Sequence, residues 1–592
     1  MNDLTTGENA PERPSKPDAG QFRPLRAWPA FLLALLMLAA RFGPGISEEG
    51  AVKYWMVAVF GPLLACLLLL IWWVAASRAT WRERLFGFLG LVASAAIAIM
   101  LAHPTMRGAA TTYFTLPLGF FFSALAAGLL KKSPPAIRSV TAVLVAFAAF
   151  SVSMLLRNDG MTGDYKYSFH SRWKQTAEDA MLAAQTPARP KPTAQADKTS
   201  LTNSLAHPEW AEFRGSDRAG RSLAPGISTN WNDHPPKLLW KTPIGPGWSS
   251  FAVAGLMLFT QDQRGPKETV VCYDADSGRE IWKTEFDGRL DDPMGGPGPR
   301  ATPTLANGAL YVVSSTGTFL RLNPVTGEIV WKKDLTQVAD CKVPMWGFSS
   351  SPLVLGPIVV VYGGGPEKGL LAFDTASGDL RWSVPCPVNS YGSPQLNNIL
   401  GEDSILMLSS SGLLLLDPAN GKRRLDYEWK IAQFRAVQPH VVGSDTILLP
   451  TGMNMGTRAL RIKKSNGRYA AEELWTSRQL KPDFVDLVTY KGHAYGNDGG
   501  MLTCIDLQTG ERKWKGGRYG KGQILLLENS GLLLILSEQG KLVLVAADPS
   551  EHREIASFQA LEGKTWNHPV LVGDHLYVRN SQEAAAYRVQ LN

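Results

Sequence analysis

Cysteine is scarce in this sequence, and the few cysteines form no motif that would attach a haem. There are five cysteines in 592 residues, and none lies in a C-x-x-C-H haem attachment motif. The nine histidines show no H-x-x-x-H or comparable spacing, so a zinc site is not expected. A G-x-S-x-G nucleophile elbow is also missing, which argues against a hydrolase of that type.

Excess charge is missing from the larger part of the chain. The formal net charge is +8, but residues 1–206 contain 20 Lys and Arg against 12 Asp and Glu, which accounts for all of it. Residues 207–592 contain 40 basic and 40 acidic residues. Because nucleic-acid binding requires a basic surface, no nucleic-acid partner is expected for this neutral part.

Long apolar runs, by contrast, fill the first quarter of the chain. Five of them approach the ~20 residues that a helix needs to cross the hydrocarbon core of a bilayer. They extend over Pro24–Phe42, Val52–Ala76, Leu85–Ala102, Tyr113–Leu130 and Ile137–Leu156. This pattern predicts a transmembrane domain of five helices over residues 24–156, embedded in a lipid bilayer and preceded by a disordered cytoplasmic tail over residues 1–23.

Basic residues are distributed unevenly on the two sides of these runs, which predicts their orientation. Ten lie on one side, and three lie on the other with two acidic residues. Because loops rich in Lys and Arg stay in the cytoplasm, the N-terminus is predicted to be cytoplasmic and the C-terminal domain periplasmic, in a bacterial inner membrane. The ten are Arg13, Lys16, Arg23, Arg26, Arg78, Arg82, Arg84, Lys131, Lys132 and Arg138; the opposite side has Arg41, Lys53, Arg107, Glu48 and Glu49.

The composition changes again between the apolar runs and the neutral C-terminal part. Residues 157–206 include the stretch TAEDAMLAAQ, which is compatible with a short helix, and the polar, proline-rich stretch TPARPKPTAQADKTS. Proline-rich polar segments form semi-extended spacers. We therefore expect residues 157–206 to be a periplasmic linker.

Residues 207–592 contain a repeat that recurs along the whole region. Each copy has an apolar run, an Asp or Asn, a small polar residue beside Gly, and then a strand with an aromatic residue, as in CYDADSGREIW and CIDLQTGERKW. Asx and Gly residues are typical of hairpin turns. The aromatic anchors are separated by 39 to 51 residues, a period typical of four-stranded propeller blades. They are Trp240, Trp282, Trp331, Trp382, Trp429, Trp475, Trp514 and Phe558.

Eight anchors predict an all-β propeller of eight blades, and the last blade needs a strand from the other end of the repeat region. The tail from Asn567 supplies three strands, and the segment KLLWKT at Lys237–Thr242 is the expected fourth. Such a closure removes open sheet edges. The recurring Trp and Gly residues are expected to pack blade against blade.

Candidate ligand-binding residues come from the loops that precede the inner strands and from the loops between the two middle strands, because both sets open on one face of a propeller. This face is called the funnel face below. Aromatic and cationic side chains there are suited to a flat anionic ligand, whereas the alternative is that the aromatics fill the axis and the arginines cap loop carbonyls. The candidates are Trp248, Arg300, Trp346, Tyr391, Arg435, Asp486, Asn497, Asp498, Lys521, Trp566 and Asn567.

The repeat resembles that of pyrroloquinoline-quinone (PQQ) propellers. Two further stretches, WAEFRGSDRAGRS and GKTWNHPVLVGDHLYVRN, look like the opening and closing segments of the periplasmic PQQ-like family named after the outer-membrane assembly lipoprotein. The resemblance implies an eight-bladed propeller. It also leaves two functions open, because catalytic quinoproteins and non-catalytic scaffolds share the repeat.

The first function is a membrane-tethered scaffold whose rim and funnel bind an envelope protein, peptide or polymer, with no cofactor. The second is a PQQ-dependent dehydrogenase that oxidises a sugar or alcohol and donates electrons to membrane quinone, with calcium beside the bound PQQ. The layout of five spans followed by a propeller is similar to that of membrane-bound glucose dehydrogenase. In that case Asp498 or Asp486 is the candidate base and Lys521 or Arg435 the cation beside the quinone. The chain lacks long inserts between blades and a convincing Glu/Asn/Asp calcium set, so the scaffold is preferred and no metal site is predicted. A disulfide between Cys341 and Cys386 stays open.

Overall fold

A computed structural model describes residues 23–46, 54–163, 166–184, 198–292, 294–387, 390–431 and 434–592. The chain forms two compact units. The first contains the residues up to Asp159 together with Phe169–Lys174, and the second contains Gly160–Ser168 and Gln175–Asn592. The predicted tail over residues 1–23 lies outside the described residues except for Arg23.

The first unit is built from apolar helices. They are α1 (Trp28–Phe42), α2 (Trp55–Ile71), α3 (Trp81–Leu101), α4 (Leu116–Leu129) and α5 (Pro135–Ser151). Short 3₁₀ or π segments extend four of them: Gly43–Ile46, Trp72–Ala76, Thr111–Thr115 and Val152–Leu155. Within the described residues, five helical stretches of 19 to 21 residues are long and apolar enough to cross a membrane, which confirms the prediction of five spans.

An ion pair connects α3 and α5. Arg138 donates from Nε to Glu83 Oε1 at 2.6 Å and from Nη2 to Oε2 at 2.9 Å, and both side chains are buried. Glu83 also completes a capping box at the start of α3, since its Oε2 accepts the Thr80 amide at 2.8 Å. Arg138 Nη1 reaches the carbonyl of Arg23, 3.0 Å away. Arg138, which the sequence placed simply among the basic loop residues, therefore joins three segments of this unit.

The region predicted as a linker is folded where it is described. Strands β1 (Leu156–Met161) and β2 (Tyr167–Ser171) pair as a hairpin, and helices α6 (Ala177–Ala184) and α7 (Lys198–Ala206) follow. Helix α6 is in the stretch predicted to be helical, whereas most of the proline-rich stretch lies outside the described residues. Glu178 of α6 accepts the Gly265 amide at 2.7 Å and pairs with Arg289 at 2.9 Å. These partners are distant in sequence, so local composition did not show them.

Eight sheets form the propeller in the described part of the chain; seven have four strands and one has five. Blade 1 contains β5 (Ala252–Ala254), β6 (Met257–Arg264), β7 (Lys267–Asp274) and β8 (Glu280–Asp287). Blade 2 contains β11 (Thr304–Ala306), β12 (Ala309–Val313), β13 (Thr318–Leu322) and β14 (Ile329–Asp334). Blade 3 contains β15 (Leu353–Leu355), β16 (Ile358–Tyr362), β17 (Leu370–Asp374) and β18 (Leu380–Val384). Blade 4 contains β19 (Gln395–Ile399), β20 (Glu402–Leu408), β21 (Gly412–Leu416) and β22 (Arg423–Glu428).

The remaining blades follow the same order. Blade 5 contains β23 (His440–Val442), β24 (Thr446–Thr451), β25 (Gly456–Ser465) and β26 (Arg468–Ser477). Blade 6 contains β27 (Val488–Tyr490), β28 (His493–Asp498), β29 (Met501–Asp506) and β30 (Arg512–Arg518). Blade 7 contains β31 (Gln523–Leu527), β32 (Leu532–Leu536), β33 (Lys541–Ala546) and β34 (Glu554–Gln559), with β3 (Arg221–Ser222) added in parallel to β31. Helix α8 (Leu335–Ala339) and the short pair β9 (Asp291–Asp292) and β10 (Gly296–Pro297) lie between blades, whereas the turn Glu528–Ser530 joins β31 to β32 within blade 7.

Blade 8 closes the ring as predicted. It contains β35 (Val570–Val572), β36 (His575–Arg579), β37 (Glu583–Arg588) and β4 (Lys237–Pro243). Ala586 is paired with Trp240 across the closure. The buried Arg579 strengthens it by donating to Thr260 Oγ1 at 2.6 Å and to the Gln261 carbonyl at 3.0 Å in blade 1.

The recurring Trp and Gly residues pack neighbouring blades together. Gly278 has a φ of +68° in the outer turn of blade 1, and a β carbon there would lie 2.5 Å from the Trp240 ring of blade 8. Trp240 Nε1 donates to the Ala275 carbonyl in the same turn at 2.8 Å. The same packing recurs between Trp282 and Gly327, Trp331 and Gly378, Trp382 and Gly421, and Trp475 and Gly510. The motif is thus structural, as the sequence predicted.

Candidate functional site

Hydrogen bonds between adjacent blades surround the axis of the propeller at the loops that lead into the inner strands. The amide of Ser250 donates to Thr302 Oγ1 at 3.0 Å, and the amide of Thr302 donates to Ser351 Oγ at 2.9 Å. At the equivalent position farther round, the Gln438 amide donates to Asp486 Oδ1 at 2.9 Å. Asp486, a candidate base in the sequence, is therefore part of the blade-to-blade contacts.

The segment Trp210–Ser222 fills the axis. It pairs with the inner strands of blades 1 and 7. It also forms hydrogen bonds with residues of blades 2, 3, 4 and 6 or of the loops that lead into them. Because inner strands surround the axis, a segment bonded to opposite blades must lie on it. The sequence singled out this stretch as a family signature but did not place it.

Two fully buried arginines hold this segment. Arg214 Nη1 lies 2.8 Å from Asp486 Oδ2, and Nη2 donates to the Leu487 carbonyl at 2.8 Å. Arg218 binds Glu212 and donates to the carbonyls of Ser351 and Pro394 at 3.3 and 2.5 Å. Burial lowers the pKa of Arg214 to about 9, which leaves it charged at neutral pH. Asp486 and its partner thus form a structural ion pair.

Aromatic residues on the funnel face form two groups. In the first, the Trp248 and Trp566 rings are 4.8 Å apart, and Phe484 packs edge-on against Trp566 at 5.0 Å. The Lys564 ammonium lies 5.1 Å from the Trp248 ring and 4.5 Å from the Trp566 ring. Trp566 Nε1 donates to Glu538 Oε1 at 3.0 Å. Of the predicted residues, Trp248 and Trp566 are brought together here.

The second aromatic group contains the predicted Trp346 and Tyr391. The Trp346 ring is 5.2 Å from Tyr391 and 4.3 Å from Phe434, which it meets edge-on. Tyr391 is buried, whereas Trp346 and Phe434 are half-buried. This group presents a partly exposed apolar surface on the same set of loops.

The predicted cations are engaged by groups of the protein itself. Arg435 is buried and donates to the carbonyls of Ser409 at 2.7 Å and Trp429 at 2.5 Å. Burial, with the charge of Arg458, lowers the pKa of Arg435 to about 10. This is the loop-capping alternative that the sequence left open. Arg300 Nη2 pairs with Asp292 at 2.7 Å, and Lys521 Nζ pairs with Asp483.

The remaining candidates also have partners within the propeller. Asn497 accepts the Gly500 amide at 2.9 Å and donates to the Gly520 carbonyl at 2.5 Å. Asn567 donates to the Ser249 carbonyl at 2.7 Å. Asp498 lies between two lysines, Lys481 at 2.7 Å and Lys515 at 2.9 Å.

A piece of the chain itself lies on the first aromatic group. The Met161 amide donates to the Met294 carbonyl at 2.6 Å, and the Met161 carbonyl accepts from Lys564 Nζ at 3.1 Å. The Gly163 amide donates to Glu538 Oε1 at 2.5 Å. Sequence reasoning missed Glu538 and Lys564, although Lys564 is in the quoted loop GKTWNHP and Glu538 is in a loop between middle strands.

A calcium-bound quinone does not fit the side chains that the sequence offered for it. Among the described residues there is no group of three or more His, Cys, Asp or Glu that could hold a metal ion. The acidic candidates are committed elsewhere, Asp486 to an arginine and Asp498 to two lysines.

Cys341 and Cys386 are both free thiols, so the open disulfide is not formed. Helix α8 lies just before Cys341, whose Sγ donates to the Gly363 carbonyl at 3.1 Å. Cys386 is buried against Gly369, where a β carbon would lie 2.4 Å from the Cys386 Cβ. The repeat spacing suggested that the two loops are equivalent, but their structures differ.

The fold and the site together define a PQQ-like eight-bladed β-propeller joined to five candidate membrane-spanning helices. A family profile described as outer membrane protein assembly factor BamB matches residues 234–343 and 266–516. The outer membrane protein assembly factor BamB of Yersinia pestis is 22% identical over 343 residues, which are 55% of this chain and 74% of that protein. The propeller is thus similar to BamB, as the resemblance in the repeat implied.

Solved structures of two kinds also resemble the propeller. The crystal structure of BamB from Moraxella catarrhalis is 14% identical and matches 60% of this chain and 99% of its own, with a TM-score of 0.43. Quinohemoprotein alcohol dehydrogenase ADHIIG from Pseudomonas putida HK5 is 13% identical and matches 67% and 83%, with a TM-score of 0.48. Neither likeness bears on function.

Proposed function

We propose that this protein is a membrane-anchored propeller of the bacterial envelope that binds a protein or peptide through its funnel face. In this proposal the spans lie in the inner membrane, the N-terminus is cytoplasmic and the propeller is periplasmic. The sequence similarity to an outer membrane assembly factor supports a protein partner. The excess of Lys and Arg on one side of the spans supports the orientation.

The observation that carries the proposal is the occupation of the funnel face by polypeptide. A segment of the chain's own backbone lies beside half-exposed aromatic residues and forms hydrogen bonds with Glu538 and Lys564. Half-exposed aromatics next to polar groups are typical of protein-binding surfaces. Trp346 and Phe434 extend this apolar surface.

The alternative is a PQQ-dependent dehydrogenase, and its candidate residues are poorly suited to that role. Asp498 is buried between two lysines, which hold its pKa below the ordinary value despite the opposing effect of burial. A general base works best with a pKa near the operating pH and within reach of its proton. Lys521 is engaged by Asp483, so it is not poised beside an incoming quinone.

Calorimetric titration of the full-length protein in nanodiscs with PQQ and calcium tests the proposal. It is followed by dye reduction with sugars and alcohols as substrates. We expect no saturable heat and no turnover. Stoichiometric binding with substrate-dependent dye reduction would overturn the proposed function.

The positive part of the test uses a photo-crosslinking residue in living cells. At Trp346 on the funnel face it should yield a discrete protein adduct. The control position is Val325 in an outer turn, which is exposed on blade 2. Equal labelling at both positions would contradict a binding surface at the funnel face.

A further inference from the structure

The hairpin tip Gly160–Gly163 contacts the funnel face through main-chain atoms. Three hydrogen bonds join it to the propeller through the amide and carbonyl of Met161 and the amide of Gly163. On the propeller, the Met294 carbonyl and the Glu538 carboxylate accept hydrogen bonds from the tip, and the Lys564 ammonium donates one to it. None of these contacts depends on a side chain of the hairpin, so the same groups would suit any extended backbone in that position.

Glycine is required at both ends of this tip. Gly160 has a φ of +98°, and a β carbon there would lie 3.0 Å from the Met294 carbonyl oxygen. At Gly163 a β carbon would lie 1.9 Å from Lys521 Cγ. The surface therefore accepts a peptide only where the backbone can approach closely, with small residues on either side of a buried residue such as Met161.

The groups that hold the tip are themselves held in position by the propeller. Glu538 also accepts the Lys521 amide at 3.1 Å and Trp566 Nε1 at 3.0 Å. Lys564 lies against two indole rings and donates to the Gly295 carbonyl at 3.0 Å. Groups positioned in this way favour binding because little conformational freedom is lost when a ligand takes the place of the tip.

We propose that this surface binds an extended peptide segment of a partner protein, and that residues 160–163 occupy the surface in cis until the partner displaces them. The proposal rests on the protein-binding function proposed above and names the chemistry of its partner. The partner segment supplies a backbone N–H to Glu538 and a backbone carbonyl to Lys564, and it has small residues on both sides of an apolar one.

A fluorescent peptide with the sequence of residues 158–163, Asn-Asp-Gly-Met-Thr-Gly, tests this in full-length protein in nanodiscs. The variant Gly160→Val/Gly163→Val removes the tip from the surface. We expect it to bind the peptide at least tenfold more tightly than the natural protein does. Gly45→Val is the matched control, since a β carbon at Gly45 meets no atom within 4 Å, and it should leave peptide affinity unchanged.

Recognition of the backbone is tested with a second peptide, N-methylated at the Met and final Gly amides. It keeps the side chains but loses both donors, so its affinity for the opened variant should fall at least tenfold. Adding Glu538→Gln to that variant should weaken the unmodified peptide similarly. If the opened variant binds both peptides equally or binds neither, the proposal is overturned.

A measurement on the natural protein avoids dependence on the folding of any variant. Excess peptide should increase hydrogen exchange at residues 160–163, because it displaces the tip. Unchanged exchange at peptide concentrations that saturate the opened variant would contradict displacement. If the peptide experiments fail and PQQ does not bind, only the displacement proposal is wrong, and the proposed binding function stands. If PQQ binds and supports turnover, both proposals are wrong.

Discussion

Asp486 Oδ2 lies 2.8 Å from Arg214 Nη1 on the axis of the propeller, and neither side chain is more than 3% exposed. Asp486→Asn leaves the arginine charge buried without its counter-ion. Removing one partner of a buried pair costs about 3–5 kcal/mol, so we expect a clearly lower urea midpoint for the propeller, followed by tryptophan fluorescence.

The matched control for this prediction is Asp445→Asn, which removes an exposed partner of Arg461 at 3.7 Å. Exposed pairs contribute little, so its midpoint should change little. Equal midpoints for the two variants would show that the axial pair does not stabilise the fold. A dehydrogenase would instead lose turnover in Asp486→Asn without losing stability.

Two histidines near the same arginine predict acid sensitivity. Burial lowers the pKa of His440 and His568 well below the ordinary 6.5, and the charge of Arg214 lowers them further; the Asp486 carboxylate, 3.5 Å from His440, opposes this without reversing it. The unfolded chain therefore binds protons below about pH 6.5 that the folded chain does not, and stability falls as the pH falls. The expected slope is at most about 1.4 kcal/mol per pH unit for each histidine.

Urea unfolding at pH 7.5, 6.5 and 5.5 measures this slope. His568→Gln should flatten it, because the glutamine cannot gain a proton in the unfolded chain. The exposed His234→Gln serves as the control and should leave the slope unchanged. The same slope in His568→Gln as in the natural protein would contradict the assignment.

The buried pair of Arg138 and Glu83 predicts strong non-additivity. Glu83→Gln or Arg138→Met alone should lower the thermal midpoint in detergent, because each leaves a buried charge or donor without its partner. The double variant should recover most of the loss, since removing both charges of a buried pair is often close to neutral. If the midpoint of the double variant instead falls by the sum of the two single losses, the two residues are not coupled.

The free cysteines predict a simple thiol titration. In denaturant, five thiols per chain should react with or without prior reduction. In the folded protein Cys341 should react first, because it is partly exposed, whereas Cys386 is buried and burial raises its pKa to about 12. Three reactive thiols before reduction would show that a disulfide forms after all.

The architecture was predictable because the repeat encodes it locally. The Trp240 strand lies just before blade 1 in the sequence, yet the three-strand tail from Asn567 assigned it to blade 8, where it pairs with Ala586. The five apolar runs correspond to helices because the length needed to cross a bilayer leaves few alternatives.

The candidate site was less predictable, because its contacts join residues far apart in the chain. Arg435 and Trp566 lie on loops that precede inner strands, but whether Arg435 binds a ligand or a loop carbonyl depends on partners that no spacing reveals. The contact of Gly163 with Glu538 joins residues 375 positions apart. No local pattern marks such a contact. The polar, proline-rich composition of residues 157–206 instead predicted a linker without contacts to the propeller.

Amide hydrogen exchange at Met161 and Gly163 in the full-length protein tests most directly whether the funnel face holds the chain's own backbone. Both amides donate to the propeller, so we expect exchange far slower than in an unstructured peptide. We also expect that Gly160→Val/Gly163→Val abolishes this protection, while amides in blade strands such as that of Val312 stay protected. Exchange of both amides at the unstructured rate in the natural protein would show that the funnel face does not hold this segment.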